Sequence, residues 1–484
     1  MSKEVTIDWC PDKSSKTALV HQIVQYITKK VYRGDWLIGD RLPTQRALAV
    51  AFDVNRSTIS TAISELTISG VLETTVGKGT YVANNTWSLL VSDKTPNWKD
   101  YIEKGFHQAN LPTIQAINKY EFDDDIIRLS TGEVSPELMP QDLFSEIFQQ
   151  MSSEPIAFNY LEPLGLEALR TELCHYLKKH DIHITEKEIL IVSGSLQALQ
   201  LVALALLGKH SKVFVEEYSY VKSLKVFEFS GINMKTIATD NDGPLPWIID
   251  TSTLREGTSI LYTIPTFHNP TGRVMSHERR VELLKWCQKN HLPIIEDDAY
   301  RELYFDVRPP KPIKSMDTSG NVLYLGSFSK SLAPGIRIGW IVGPESVIER
   351  LGDIKMQTDY GASSVSQWMM TYMLRSGLYE EHLIQLRTRL KERCHQVLSY
   401  LDTYFSNIAT WHVPKGGFYI WLKLNRAYHT DTLFENALKN KVLINPGFIY
   451  TSKNSSHIRI SYSYASMADM EKGLQILSKI IREL

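Results

Sequence analysis

Apolar positions recur at helical spacing over residues 17–33, where Leu19, Ile23, Tyr26, Ile27 and Val31 fall on one face. Gly34 then suits a helix C-cap. A second, short helix is predicted after Pro43, with Thr44 as its N-cap and Leu48, Ala51 and Phe52 turned inward. Asp53, Val54 and Asn55 make a tight turn. A third helix starts near Arg56 and sets Ile59, Ala62, Ile63 and Leu66 on one face, until Gly70 stops it. Residues 72–75 and 80–83 alternate like strands, with Val76, Gly77, Lys78 and Gly79 as the hairpin turn between them. Residues 1–83 therefore read as one small unit.

The pattern changes after that. Residues 84–112 are polar and irregular, which predicts a linker, and Trp87, Trp98, Tyr101 and Phe106 predict that part of it packs on a neighbour. Residues 113–484 read as one large α/β unit. Short apolar strands at 190–192, 213–215, 260–264, 293–295 and 322–325 alternate with helical stretches, the mark of a mostly parallel sheet. A long helix is predicted over 380–405, with Leu383, Leu386, Leu390, Cys394, Val397, Leu401 and Tyr404 on one face. The tail mixes strand and helix signals, which predicts a smaller α+β lobe.

Composition narrows the class. With 484 residues, 43% hydrophobic and 22% charged, the chain can bury a large core, so disorder and a disulfide mini-protein are excluded. The four cysteines, Cys10, Cys174, Cys287 and Cys394, form no CxxC pair, which argues against a structural metal site and for a reduced setting. The first residues carry acids and lack the apolar core of a signal peptide, and no apolar stretch is long enough to span a bilayer. A soluble, cytoplasmic protein is expected. The formal net charge of -1 offers no global field for nucleic acid, so any such binding must be local.

Helix, tight turn, helix and hairpin is the plan of a DNA-reading module. The outer face of the third helix carries Asn55, Arg56, Ser57, Thr58 and Ser60, which can reach phosphates and base edges. Arg46 on the second helix and Lys78 at the hairpin tip add charge at the flanks. Residues 1–83 hold ten Lys/Arg against eight Asp/Glu, a weak surplus that predicts a dimer to gather enough phosphate contacts. Periodicity and charge alone suit a small helical cap with a solvated face equally well. The sequence motif separates the two. The runs over residues 39–49 (GDRLPTQRALA), 54–59 (VNRSTI) and 77–82 (GKGTYV) stand in order, and together they resemble the GntR family of bacterial transcription factors. That resemblance implies a winged helix-turn-helix in which Arg46, Arg56, Ser57, Thr58 and Gly77 contact DNA. Thr44 and Asn55 stand where Ser or Thr is usual, which predicts that capping is intact.

A second constellation lies in the large unit. Lys330, in a Ser-Phe-Ser-Lys run after a predicted strand, can form an imine with an aldehyde cofactor. Ser327, Ser329 and Arg337 can hold a phosphate, and so can the helix start at Gly194–Ser195. Asp297, at the end of a buried strand, can pair with a protonated pyridine nitrogen. Tyr300 and Asn269 can bond a phenolate oxygen, and Tyr220 can stack on a ring. Each residue also has an ordinary reading: a turn at Asn269, a helix cap at Asp297, a core position at Tyr220. All of them follow strand C-termini, where open α/β sheets bind ligands.

Together and in this order, these residues resemble the fold-type I aminotransferases over about residues 113–484. The resemblance implies pyridoxal 5′-phosphate as cofactor and a large lobe plus a small one. It implies Lys330 as the Schiff-base lysine, Asp297 as the pyridine partner, Tyr300 and Asn269 as phenolate partners, and phosphate ligands at Ser195, Ser327, Ser329 and Arg337. It further implies that Tyr160 reaches the phosphate of a neighbouring subunit, that Arg459 binds a substrate α-carboxylate, and that Gly132 lines the same end of the pocket. A surface salt bridge is the ordinary reading of Arg459. A GntR-like reader joined to such a body resembles the MocR subfamily of regulators. The expectation is a homodimer binding double-stranded operator DNA, switched by an amino acid, an amine or the cofactor itself. A true aminotransferase with an appended DNA module is the alternative, since half-transamination is chemically possible.

Overall fold

The computed structural model describes residues 5–15, 17–32, 35–36, 39–75, 79–83, 101, 104–105, 109–153, 156, 159–255, 258–426 and 430–484, with Tyr32, Thr75 and Phe229 described by backbone alone. The chain forms two compact units, Met1–Gln108 and Ala109–Leu484.

The first unit contains helices Leu19–Tyr32, Gln45–Ala51 and Arg56–Ile68, followed by the antiparallel strands Leu72–Thr75 and Gly79–Val82. Its core joins the inner faces of all three helices, through Ile23, Ile27, Leu48, Ile59, Ala62 and Leu66, to Leu72 and Val82. The Thr44 hydroxyl accepts from the Ala47 amide at 3.2 Å and caps the second helix as expected. Two expectations fail locally. Ala51 is exposed, because the helix ends there and Phe52 at the C-cap fills the core instead. Asn55 makes no side-chain capping bond, and only its carbonyl engages the helix, accepting from the Thr58 amide at 3.0 Å. The segment before the first helix also packs, with Val5 buried and Trp9 stacked on Tyr26 at 4.8 Å. Gly34, Val76, Gly77, Lys78 and residues 84–100 lie outside the described residues.

The second unit is built on a seven-stranded sheet among the described residues. Its spatial order is Ile189–Val192, Gly339–Val342, Val322–Ser327, Ile294–Asp297, Ser259–Thr263, Lys212–Glu216 and Asn233–Ile237. Only Gly339–Val342 runs antiparallel to its neighbours. All five predicted strands are present, with bounds shifted by a residue or two. Four of the strands are buried along their whole length, as a sheet covered on both faces requires.

Helix Leu378–Phe405 runs 28 residues and buries Leu383, Leu386, Leu390, Cys394, Val397 and Leu401. Tyr404 is only half-buried, since its hydroxyl donates to Glu471 at the edge, at 2.9 Å. Beyond it a four-stranded antiparallel sheet, in the order Ala409–Trp411, Tyr419–Leu424, His457–Ser461 and Asn445–Pro446, forms the smaller lobe with helices Thr430–Lys439 and Met467–Glu483. Strand Val442–Leu443 pairs in parallel with Ile127–Arg128, so the start of the unit is tied into its last lobe. Among the described residues, no helix is long and apolar enough to cross a membrane, and no group of His, Cys, Asp or Glu could hold a metal ion.

Candidate ligand cavity and nucleic-acid interface

Parallel strands end on one edge of a sheet, and that edge gathers the predicted residues. Gly194 follows Ile189–Val192, Tyr220 follows Lys212–Glu216, Asn269 follows Ser259–Thr263, Asp297 ends its own strand, and Lys330 follows Val322–Ser327. The small lobe contributes Arg459 from strand His457–Ser461. A cavity of about 400 Å³ opens where they meet, walled by Gly132, Tyr220, Asn269, Lys330, Tyr419 and Arg459 among others.

Lys330 is half-buried, and its Nζ donates to the Gly132 carbonyl at 2.6 Å. A Cβ at Gly132 would run into the Tyr419 hydroxyl, so a larger residue there would have to displace that buried side chain. Asp297 is 5% exposed. Tyr262 donates to its Oδ2 at 2.8 Å and the Ala299 amide to its Oδ1 at 3.4 Å. Burial pushes its carboxyl up to about 6, against the pull of those two donors.

A polar relay crosses from one lobe to the other. Asn269 Nδ2 donates to the Tyr300 hydroxyl at 3.3 Å, and the Tyr300 and Tyr419 hydroxyls are 3.0 Å apart. Arg459 donates from Nη1 to Asn269 Oδ1 and from Nη2 to the Ser130 carbonyl, both at 2.8 Å. Its guanidinium lies 4.2 Å over the Tyr419 ring, and its buried Nε has no partner. Arg459 is buried at 5% exposure, which removes the surface salt-bridge reading.

Beside Lys330 lies a donor cradle. Helix Ser195–Leu206 starts after Gly194, whose φ of 90° suits glycine, and its first amides have no intrahelical acceptor. A Cβ at Gly194 would approach Arg337 Nη2 to 2.6 Å. Arg337 donates to the Ser193 carbonyl at 2.7 Å and reaches the Ser329 hydroxyl at 3.5 Å. The Ser327 hydroxyl accepts from the Ser329 amide at 3.1 Å. A cradle that a methyl would fill, a buried carboxyl and an arginine with an orphaned nitrogen make a donor set that fits a phosphorylated pyridine aldehyde. Tyr160 stands apart from the cavity of its own chain. It is 83% exposed, with its ring 5.0 Å from that of Tyr360.

Tyr262, Tyr419, Ser130 and the cavity-wall residues Glu121 and Glu133 were not expected from sequence. Tyr262 carried a usable signal: its strand pairs in register with that of Asp297, which puts both side chains on the same face.

In the first unit Arg46, Asn55, Arg56 and Ser57 are exposed and Thr58 is partly so, while Ile59, Ala62, Ile63 and Leu66 of the same helix are buried. The polar face is thus free to enter a groove. Gly77 and Lys78 lie outside the described residues.

Two family models match. Residues 19–82 match the bacterial regulatory proteins of the gntR family, and residues 124–477 match aminotransferase class I and II. The chain is 47% identical over 476 residues to the HTH-type transcriptional regulator YisV of Bacillus subtilis, covering 98% of each protein. It is 35% identical over 447 residues to the HTH-type transcriptional regulator NorG of Staphylococcus aureus, covering 92% of this chain and 100% of that one. Among solved structures, Pyrococcus horikoshii kynurenine aminotransferase, in complex with PMP, matches 80% of this chain and 98% of its own, with TM-score 0.75 and 28% identity. LysN of Thermus thermophilus, an α-aminoadipate aminotransferase complexed with N-(5′-phosphopyridoxyl)-L-leucine, matches 80% of this chain and 100% of its own, with TM-score 0.72 and 27% identity. With a GntR reader ahead of a fold-type I aminotransferase body, and relatives of the same layout along nearly their whole length, the chain belongs to the MocR-type regulators of the GntR family.

Proposed function

We propose that the chain is a DNA-binding transcriptional regulator whose body holds pyridoxal 5′-phosphate and responds to a small amino acid or amine. One observation carries the reading: a single chain pairs an exposed GntR-type helix face with a cavity where Lys330, Asn269 and Arg459 converge beside buried Asp297 and Tyr300. Residues 1–83 are assigned as the DNA-binding head, 84–112 as the linker and 113–484 as the sensing body. Operator binding places its work in the cytoplasm.

Pyridoxal 5′-phosphate supplies an aldehyde that amines capture reversibly, on a ring that withdraws electrons. Lys330 is the amine placed to hold it. Asp297 would face the ring nitrogen, and a cation there would offset the burial that has raised its pKa. Asn269 and Tyr300 would bond the ring oxygen, and Tyr220 would stack on the ring. Ser195 and the Gly194 amide cradle, with Ser327, Ser329 and Arg337, take the phosphate. Arg459, against the Gly132 wall, takes an effector carboxylate, which gives its unpartnered Nε an acceptor. The exposed ring of Tyr160 supports a homodimer in which it serves the neighbouring subunit.

A carboxylate on Arg459 and an amine beside Lys330 join the small lobe to the large one. Effector binding then favours one lobe arrangement over another, and operator affinity follows by linkage. The test uses purified full-length protein. Visible spectra titrated with amino acids and amines should show a bound chromophore that responds, and Lys330→Ala should abolish it. Footprinting near the protein's own gene should then show protection that depends on effector. Equal operator affinity with and without effector, at fixed cofactor occupancy, overturns the sensing role. Sustained turnover of an amino acid with a 2-oxo acid assigns a true aminotransferase instead.

A further inference from the structure

The cavity that Arg459 lines also carries two carboxylates. Helix Pro112–Tyr120 and its flanks supply Asn110, Asn118 and Glu121, and the turn after Gly132 supplies Glu133. Both glutamates are half-buried, and neither carboxylate has an ion-pair partner among the described residues. Lys330, on the same cavity, donates to the Gly132 carbonyl at 2.6 Å, and the other nearby cations are committed elsewhere. Arg128 donates to the Glu121 carbonyl at 2.7 Å and pairs its other nitrogen with Asp124 at 3.2 Å. Lys225 donates to the Ala109 carbonyl at 3.2 Å, and Lys222 to the Glu217 carbonyl at 2.9 Å. The Glu121 carboxylate lies close enough to Tyr450 to add to the rise that burial causes in that phenol, to about 12.

The second observation is independent of the glutamates. Arg459 is 5% exposed, lines the same cavity, and keeps a buried Nε unpartnered. The cavity therefore offers a cation for a carboxylate, and two carboxylates with no ion-pair partner among the described residues. A charged group costs least where its counter-charge already waits.

We propose that the cavity reads an amino-acid effector whose side chain ends in a second, cationic nitrogen, with Arg459 taking its carboxylate and Glu121 and Glu133 taking the distal ammonium. The proposal rests on the effector role given to this cavity above. A neutral side chain leaves the two glutamates unpaired, and an acidic one is repelled by them.

Ornithine and norleucine have side chains of matched length and differ in the terminal nitrogen, so they are the probes, with glutamate as the repelled control. Binding to the full-length, cofactor-loaded protein is measured by calorimetry and by the visible spectrum. Ornithine should bind at least about tenfold tighter than norleucine, the range of a charge-assisted hydrogen bond in a partly buried site. Glu121→Gln combined with Glu133→Gln should bring the two ligands close to parity while norleucine affinity stays the same. Each single variant is followed too, and circular dichroism checks the fold. Equal binding of ornithine and norleucine overturns the acidic subsite and leaves amino-acid sensing standing. A preference for ornithine that survives both substitutions overturns the residues assigned. No response to any of the three overturns this inference and, with it, amino-acid sensing by this cavity.

Discussion

Burial acts on Asp297 in two ways. It keeps competing water from the carboxyl, and it pushes the pKa from 3.8 to about 6 in spite of the donors Tyr262 and Ala299. The folded chain then holds a proton that the unfolded chain has released, so stability falls as pH rises from about 4 to about 6 and stays reduced above that. Two pKa units correspond to about 3 kcal/mol at most. Asp297→Asn should therefore raise the melting temperature of the cofactor-free chain, by a margin that grows over this pH range. The same variant should release pyridoxal 5′-phosphate readily. Thermal melts at several pH values check the first outcome, and the visible spectrum after gel filtration checks the second. Lys330, Asn269 and Asp297 were legible in sequence because each follows or ends a strand, so that a local signal locates it. Tyr419 was not, because its hydroxyl meets that of Tyr300 across 119 residues of chain, through the packing of two lobes.

At the scale of elements, the two caps of the reading head part company. Thr44 makes its side-chain bond to Ala47, and Asn55 makes none. Thr44→Ala should lower stability by about 1 kcal/mol, the usual value for a lost N-cap, as read by chemical denaturation. Asn55→Ala should leave stability nearly unchanged and weaken operator binding, and Arg56→Ala should weaken it more, as read by fluorescence anisotropy. The helices of the head were legible because each has a full apolar face at helical period. Two strands of the body's seven-stranded sheet were not. Asn233–Ile237 is an edge strand with three of its five residues exposed, so its alternation is lost. Gly339–Val342 is four residues long and follows Arg337 in a left-handed conformation, with φ of 56°. Nothing local marks it as the antiparallel member of a parallel sheet.

On the scale of the molecule, the second compact unit begins with a piece of its own cavity. Asn110 lines the cavity, donates to the Ser223 carbonyl at 3.0 Å, and accepts from the Leu111 amide at 2.8 Å. Gln115 returns a bond to the Asn110 carbonyl at 2.6 Å and closes this first turn. Asn110→Ala should reduce the change in operator affinity that effector produces, while affinity in its absence stays close to wild type. Anisotropy titrations at one salt concentration check this, since operator affinity itself falls steeply with salt. The overall architecture was legible because both halves carry ordered motifs. The two cavity glutamates were not, because Glu121 and Glu133 come to one cavity only in the folded chain.

The compact units divide between Gln108 and Ala109, one residue short of Asn110. A seam so placed makes the protein separable by design. Graft the first 108 residues of a relative onto this body, and the hybrid should inherit its address on the genome from the donor and its taste in metabolites from the recipient.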